Sequence, residues 1–455
     1  MRATIILGAG PGGTGPLIWA AQNGRLRGWL DAGVAIVERT ASLGGTLGRY
    51  VANSDSLGTA YLECLDAPAG RALFAPLRDD PATRALAPLR YDFPPLALVA
   101  RYLERQGVWL REIVAQHAAS TVLTERDVCR LHLRRDGSVA AEIRAPNGTI
   151  SFIEARTAVL ALGGCQEDRA DLARPLLPGV DLRAVAPEKL VPSDELLQAQ
   201  GLRRAAAALA RATEPRVVIL GGSHSGFSAA WVLTTQPATA HHFGAGAIEI
   251  FQRRPPPVFY ASRDAAIDDG YGFTERDLCP RTGRVNRLGG LRGNGRELWR
   301  RLTCRPETRP EERVRMVSLA DPALSPAALR LRLETANLVI PAFGYRAVTV
   351  PVLDADGRRL ALQADHGGPA VGDDGRLLLA GGGALPNVFG IGLGSGFRPW
   401  GAMGGGPSFR GQANGLWLYQ NDIGGVIYQG IEACVKSPAP GSVFQAGRQP
   451  ARPLV

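Results

Sequence analysis

The chain has 455 residues, 45% of them hydrophobic, which is enough for two or three cores of ordinary domain size and excludes a single small module. Glycine (56) and proline (33) make up about a fifth of it, a composition rich in turns that stops short of low complexity. The formal charge of +10 does not mark a nucleic-acid binder, because Lys189 and Lys436 are the only lysines among 52 basic residues and the arginines are interleaved with acids. Such an excess of arginine, beside abundant Ala, Gly and Pro, reads as coding bias; an electrostatic footprint would gather the basic residues on one face.

The six cysteines, at 64, 129, 165, 279, 304 and 434, contain no Cys-x-x-Cys pair. This argues against a zinc cluster or a redox-active dithiol and for a reducing, cytoplasmic compartment. His241-His242 has no third ligand nearby in sequence, so no metal is expected. A strand-like run begins by about residue 3, which leaves no room for a signal peptide, and no apolar run reaches membrane-spanning length.

In chain order, Ala3 to Leu7 is an apolar run that meets a glycine loop at Gly8, and the helix-compatible stretch Thr14 to Asn23 follows. Val34 to Val37 is a second apolar run ending in Glu38, so the opening segment reads as one βαβ unit. Thr121 to Ile153 alternates strand-like runs with the turns Arg135-Asp-Gly137 and Pro146-Asn-Gly148, which predicts a small antiparallel meander. Thr157 to Gly164 is an apolar strand closing on the paired glycines Gly163 and Gly164.

The opening pattern then returns: Val217 to Leu220 runs into Gly221-Gly-Ser-His-Ser-Gly226 and a helix-compatible segment. A shift of 213 positions (221 − 8) lays the two glycine loops over each other. Asn337 to Tyr345 reads as a further strand ending in a glycine turn, and Leu377–Ala380 and Asn387–Gly394 as strands that return to the first unit. The fold class is α/β: two Rossmann-like dinucleotide-binding domains plus a small antiparallel β-meander. The first domain takes residues 1–165 and resumes over 351–436. The second is inserted over 166–350, with a loop-rich, charge-dense insertion near 255–310 expected to cover the site, and 437–455 is expected to be a flexible tail.

In Gly8-x-Gly10-x-Gly12-Gly13 the first glycine allows a tight turn, the next lets a pyrophosphate approach the backbone, and Gly13 lets helix pack on strand. The phosphates would sit at a helix N-terminus, where free N–H groups and the positive dipole end favour anions. Glu38, with Arg39 beside it, falls at the end of the second strand, where a carboxylate accepts hydrogen bonds from a ribose diol. Gly45 precedes Ser54-Asp-Ser56, which reads either as flavin-lining or as a turn and helix cap. Alone, the first loop does not separate FAD from NAD.

The second loop carries Ser223 in place of the middle glycine, with Gly221 and Gly226 at the outer positions and His224 and Ser225 within it. His224 would reach a phosphate or cap the helix. The strand after it ends in Gln252-Arg253-Arg254, where an NAD site would carry an acid, and arginines there neutralise a 2′-phosphate, favouring NADPH.

This order of motifs resembles the FAD- and NADPH-dependent monooxygenases with two dinucleotide domains, and among them the N-hydroxylating enzymes. The resemblance rests on the two glycine loops and on Ala342-Phe-Gly344-Tyr345, which is similar to that family's Ala-Thr-Gly-Tyr motif with Phe343 in place of threonine. It implies that NADPH reduces the flavin, that molecular oxygen is activated as a flavin hydroperoxide, and that a small amine or amino acid is hydroxylated on nitrogen. No protein nucleophile is then required, and the expected partners are a small-molecule substrate and oxygen, with no nucleic acid or membrane and with homo-oligomerisation left open. The alternative is an NAD(P)H-dependent reductase or dehydrogenase that passes electrons to another acceptor.

Overall fold

A computed structural model describes residues 1–166, 172–365 and 368–436. The expectation of a flexible tail over 437–455 lies outside the described residues. The chain opens with β1 (Arg2–Leu7), α1 (Pro11–Gln22) and β2 (Val34–Val37). Proline suits the first helical position, where its missing N–H has no intrahelical partner to lose, and so α1 begins three residues before the helix-compatible stretch marked by composition. The long amphipathic α2 (Leu96–Val114) buries Val99, Leu103, Leu110 and Ile113 on one face and leads into β3 (Thr121–Leu123).

The predicted meander follows as β4 (Asp127–Leu133), β5 (Val139–Arg144) and β6 (Ile150–Leu160), all antiparallel neighbours. β6 does double duty. Its first half pairs with β5, and its apolar second half runs parallel to β1, so the meander grows out of the dinucleotide sheet.

After β7 (Gly164–Cys165) the chain enters the second unit: β8 (Val217–Leu220), α3 (His224–Thr235), β9 (Ile248–Gln252), α4 (Gly293–Leu302), β10 (Val314–Ser318), α5 (Pro326–Thr335) and β11 (Leu338–Pro341). Its four strands are all parallel, in the order β10-β9-β8-β11. The two neighbours β8 (VVIL) and β11 (LVIP) are wholly apolar because both of their faces are covered, whereas the edge strand β10 carries Arg315 and Ser318. Val217 and Ile219 point into a core with Phe227 and Leu298, while Val218 and Leu220 point into another with Leu329 and Leu333.

The chain returns through β12 (Arg346–Ala347), which pairs antiparallel with β7, so the two crossings between units lie side by side. β13 (Val352–Leu353) joins β4. β14 (Arg376–Leu378) and β15 (Ala384–Gly390) form a hairpin whose second strand lies parallel to β6. The side-chain amide of Asn387 fixes this return by donating to the carbonyls of Gly137 (2.9 Å) and Arg156 (2.8 Å). The final helix, α6 (Asp422–Lys436), packs on α1.

The segment near 255–310 is tied to the returning chain at Cys279. Burial pushes its thiol up, but hydrogen bonds from the Gly405 N–H (3.3 Å), from Thr282 and from the Arg287 guanidinium outweigh this and bring it down to about 7. A thiol acidified by folding adds stability that is fully present above its unfolded pKa, near 8.5, and is lost as pH falls through about 7. Denaturation of Cys279→Ala beside the parent should therefore show a penalty about 2 kcal/mol larger at pH 9 than at pH 6. A penalty independent of pH would show that the thiolate is not favoured by the fold.

Candidate functional site

The parallel strands end level with one another. Leu7 of β1 lies opposite Val37 of β2 and Leu160 of β6, so the next residues, Gly8, Glu38 and Ala161, emerge together at the C-terminal edge of the sheet. In the second sheet Leu220 lies opposite Phe251 and Pro341, which places Gly221, Gln252 and Ala342 at the equivalent edge. Ligands of open α/β sheets bind at such edges.

Both glycine loops are shaped by the same close approach. A Cβ on Gly13 would lie 1.9 Å from the carbonyl oxygen of Gly8, and one on Gly226 would lie 1.9 Å from that of Gly221; Gly8 and Gly221 themselves have φ of +99° and +133°. No L side chain fits either pair. The helix start is thereby pressed against the strand end, and neither N-cap residue, Gly10 or Ser223, closes it with a side-chain hydrogen bond. The first-turn N–H groups of α1 stay open to an anion.

One cavity of about 740 Å³ occupies the cleft, in the upper part of the range for small-molecule and cofactor sites. Its walls include Gly8, Gly10, Gly12, Glu38, Arg39 and Gly45 from the first unit, Gly163, Gly164 and Tyr345 from the two crossings, and His224 and Ser225 from the second loop. Gly13, Gly221, Ser223, Gly226 and Gly344 shape the backbone behind this wall without lining it. Arg253 and Arg254 stand apart, both exposed at the end of β9, with Arg253 donating to the Pro175 carbonyl (3.0 Å).

Glu38 is buried and already engaged. One carboxylate oxygen accepts the Ala9 N–H (2.7 Å) and the other accepts the N–H and hydroxyl of Thr40 (both 2.9 Å), which aims the remaining lone pairs along the cavity. Gln252 holds the corresponding place in the second unit. Its side chain packs over Gly222, and its Oε1 is buried with no hydrogen-bond partner.

Other residues at the cavity, Tyr50 in its wall and Asp194 behind the wall, carry no spacing signal in the sequence. Asp194 Oδ1, from the second unit, accepts the hydroxyls of both Tyr50 (2.5 Å) and Tyr345 (2.7 Å), so one carboxylate oxygen joins phenols from the first unit and from the second crossing. Burial, with the acid next to it, pushes the Tyr50 hydroxyl up; burial does the same to Tyr345, which Tyr50 and Asp194 reinforce, so both phenols stay protonated donors. Asp55, Arg292 and Asn294 also line the cavity, the last two from the charge-dense insertion, which does form part of the site wall. Burial pushes the His224 imidazole down, and Arg292 acts in the same direction against Asp55, so the ring is neutral at pH 7. A neutral ring meets a phosphate as a hydrogen-bond donor alone, without the attraction of a cation. Among the described residues there is no cluster of three or more His, Cys, Asp or Glu able to hold a metal, and no helix is long and apolar enough to cross a membrane.

Two Rossmann-type sheets facing one cleft, each with an open glycine loop, define an oxidoreductase fold for two dinucleotides. No protein-family model matches the chain. It is 35% identical to CMP-5′-(3-aminopropyl)phosphonate hydroxylase of Streptomyces rubellomurinus over 434 residues, 95% of this chain and 97% of that protein. In fold it is similar to L-lysine 6-monooxygenase from Pseudomonas syringae (TM-score 0.57, 16% identity, 96% of this chain and 100% of that one). It is also similar to the FAD-bound cadaverine monooxygenase of Erwinia amylovora (0.56, 13%, 100% of each). A third likeness is to the Kutzneria ornithine N-hydroxylase with reduced FAD, NADP⁺ and L-ornithine (0.54, 18%, 95% and 99%). The chain belongs to the flavin-dependent N-hydroxylating monooxygenases.

Asp194→Ala would leave the two phenols without their shared acceptor, at a cost of about 1–3 kcal/mol. Chemical denaturation should register that loss, with Asp194→Asn recovering part of it; no change in either variant would mean that water replaces the carboxylate freely.

Proposed function

We infer that this protein is an FAD-dependent, NADPH-using monooxygenase that hydroxylates the nitrogen of a primary amine on a small molecule. The observation that carries this reading is the single cavity walled by the first glycine loop at one end and by the second loop's His224 and Ser225 at the other. The residues fit two dinucleotides: Gly8 and Gly13 clear the backbone for a pyrophosphate, Glu38 offers its free lone pairs to a ribose, and the unpartnered Gln252 Oε1 offers an acceptor beside the second loop.

When bound, the flavin supplies electron transfer from NADPH and the activation of oxygen. The overall change is R–NH₂ + O₂ + NADPH + H⁺ → R–NHOH + H₂O + NADP⁺, so one oxygen atom enters a new N–O bond and the other leaves as water. The chain's part is to hold, orient and enclose. Tyr50, Tyr345 and Asp194 fix the wall where the two units meet, and the neutral His224 ring is able to accept a proton in the cavity. The nitrogen must be unprotonated to attack; a carboxylate holds an amine as ammonium, and the neutral His224 imidazole is the wall group that offers an acceptor for the proton it must lose. The curated relative's name identifies its substrate as a nucleotide-linked aminopropylphosphonate, and an amine of that class is the first to try here.

The purified protein, given NADPH, ¹⁸O₂ and 3-aminopropylphosphonate or its CMP ester, should yield a hydroxylamine carrying one labelled oxygen. NADPH consumption with no label in any product, together with fast reduction of an artificial acceptor, would make the protein a reductase instead.

NADPH is preferred over NADH because Gln252 replaces an acid at the end of β9, and Arg253 and Arg254 follow it on the exposed strand end as cations for a 2′-phosphate. Gln252→Glu should raise the KM for NADPH by about tenfold, and Arg253→Ala with Arg254→Ala should raise it more than the KM for NADH. Equal effects on the two coenzymes would show that this strand end does not read the phosphate.

A further inference from the structure

Arg292 and Asp55 line one arm of the cavity, where both act on the His224 ring. Arg292, at the N-cap of α4, lines it with its guanidinium stacked 4.3 Å from the centre of the Phe259 ring. Its Nη2 donates to the Arg287 carbonyl, and among the described residues no carboxylate forms an ion pair with it and no acceptor takes its other N–H groups. Burial holds its pKa below the ordinary arginine value, and Arg284 and Arg287 push the same way, against Asp55 alone. Of these arginines Arg292 alone lines the cavity, since Arg287 is turned to the Met403 carbonyl (2.6 Å). Asp55 itself is exposed to the cavity, and its one described hydrogen bond is a long one from the neighbouring Ser56 hydroxyl (3.4 Å).

An arm lined by an arginine with unspent donors and by an exposed carboxylate is complementary to a molecule carrying both an anion and an ammonium group. A planar guanidinium matches two oxygens of a phosphoryl group at once, and a free tetrahedral phosphonate presents three such oxygens where a carboxylate presents two. The relative's named substrate contains both groups, an aminopropyl chain and a phosphonate.

We propose that Arg292 is the specificity-determining residue of a phosphonate subsite in the substrate arm, with Asp55 receiving the amine end, so that the substrate is an aminoalkyl phosphonate. This rests on the reading of the protein as an amine hydroxylase. The phosphoryl oxygens take the free N–H groups of Arg292, the alkyl chain spans the arm, and Asp55 draws the nitrogen in.

The test compares 3-aminopropylphosphonate, 4-aminobutyrate and propylamine as substrates of the flavin-loaded enzyme. The phosphonate should show a KM about tenfold below that of the carboxylate and lower still than that of propylamine. Arg292→Ala should raise the KM for the phosphonate about 30-fold more than for propylamine, with kcat less affected and Arg292→Lys recovering part of the loss. Equal KM values for the three amines, or equal effects of Arg292→Ala on all of them, would overturn the subsite. Titration of propylphosphonate into the oxidised enzyme by calorimetry needs no turnover. Binding that Arg292→Lys weakens, in a protein that retains its flavin, supports the subsite even where no amine is oxygenated. Absence of binding in an enzyme that hydroxylates propylamine removes the subsite and leaves the reaction standing.

Discussion

Everything in this molecule is arranged around a contact that allows no side chain: the α-carbon of Gly13 against the carbonyl of Gly8, repeated at Gly226 and Gly221. Because strand end and helix start touch there, the backbone N–H groups of the helix are delivered to the edge of the sheet without a capping group in the way. The register of the neighbouring strands then places Glu38 and Ala161, or Gln252 and Ala342, at the same height. The cleft is the space left between two such edges.

Much of this was legible in the sequence because it is local. A strand, a glycine loop and a helix are contiguous, their periodicity is strong, and the second copy repeats the first at a constant offset. The meander was legible for the same reason, since two Gly-containing turns separate its alternating strands. Helix ends were less so, and α1 begins at Pro11 because a first-turn proline fits what composition alone marked as loop.

The chemistry of the walls was hidden for the opposite reason. Asp194 meets Tyr50 and Tyr345 across more than a hundred residues of chain in each case, and nothing in their local sequence announces it. Arg292 looked like one more arginine in a chain full of them, and its distinction is the missing partner, a property of its surroundings. The reverse holds for Arg253 and Arg254, whose place after a strand drew attention but whose side chains lie outside the cavity. His224 is a third case: its place in the loop is plain from the order of residues, but the surroundings of the ring set its charge.

The side-by-side crossings at β7 and β12 have a mechanical meaning. Two strands hydrogen-bonded as Arg346 with Cys165 and Ala347 with Gly164 join the units as a ribbon, where two separate threads would have allowed rotation in any direction. A ribbon flexes across its flat face and resists torsion and sideways bending. Further ties close even that direction, the Val51 N–H on the Leu197 carbonyl (2.8 Å) and the Arg281–Asp422 ion pair (2.8 Å), so the second glycine loop is held at one heading toward the first unit.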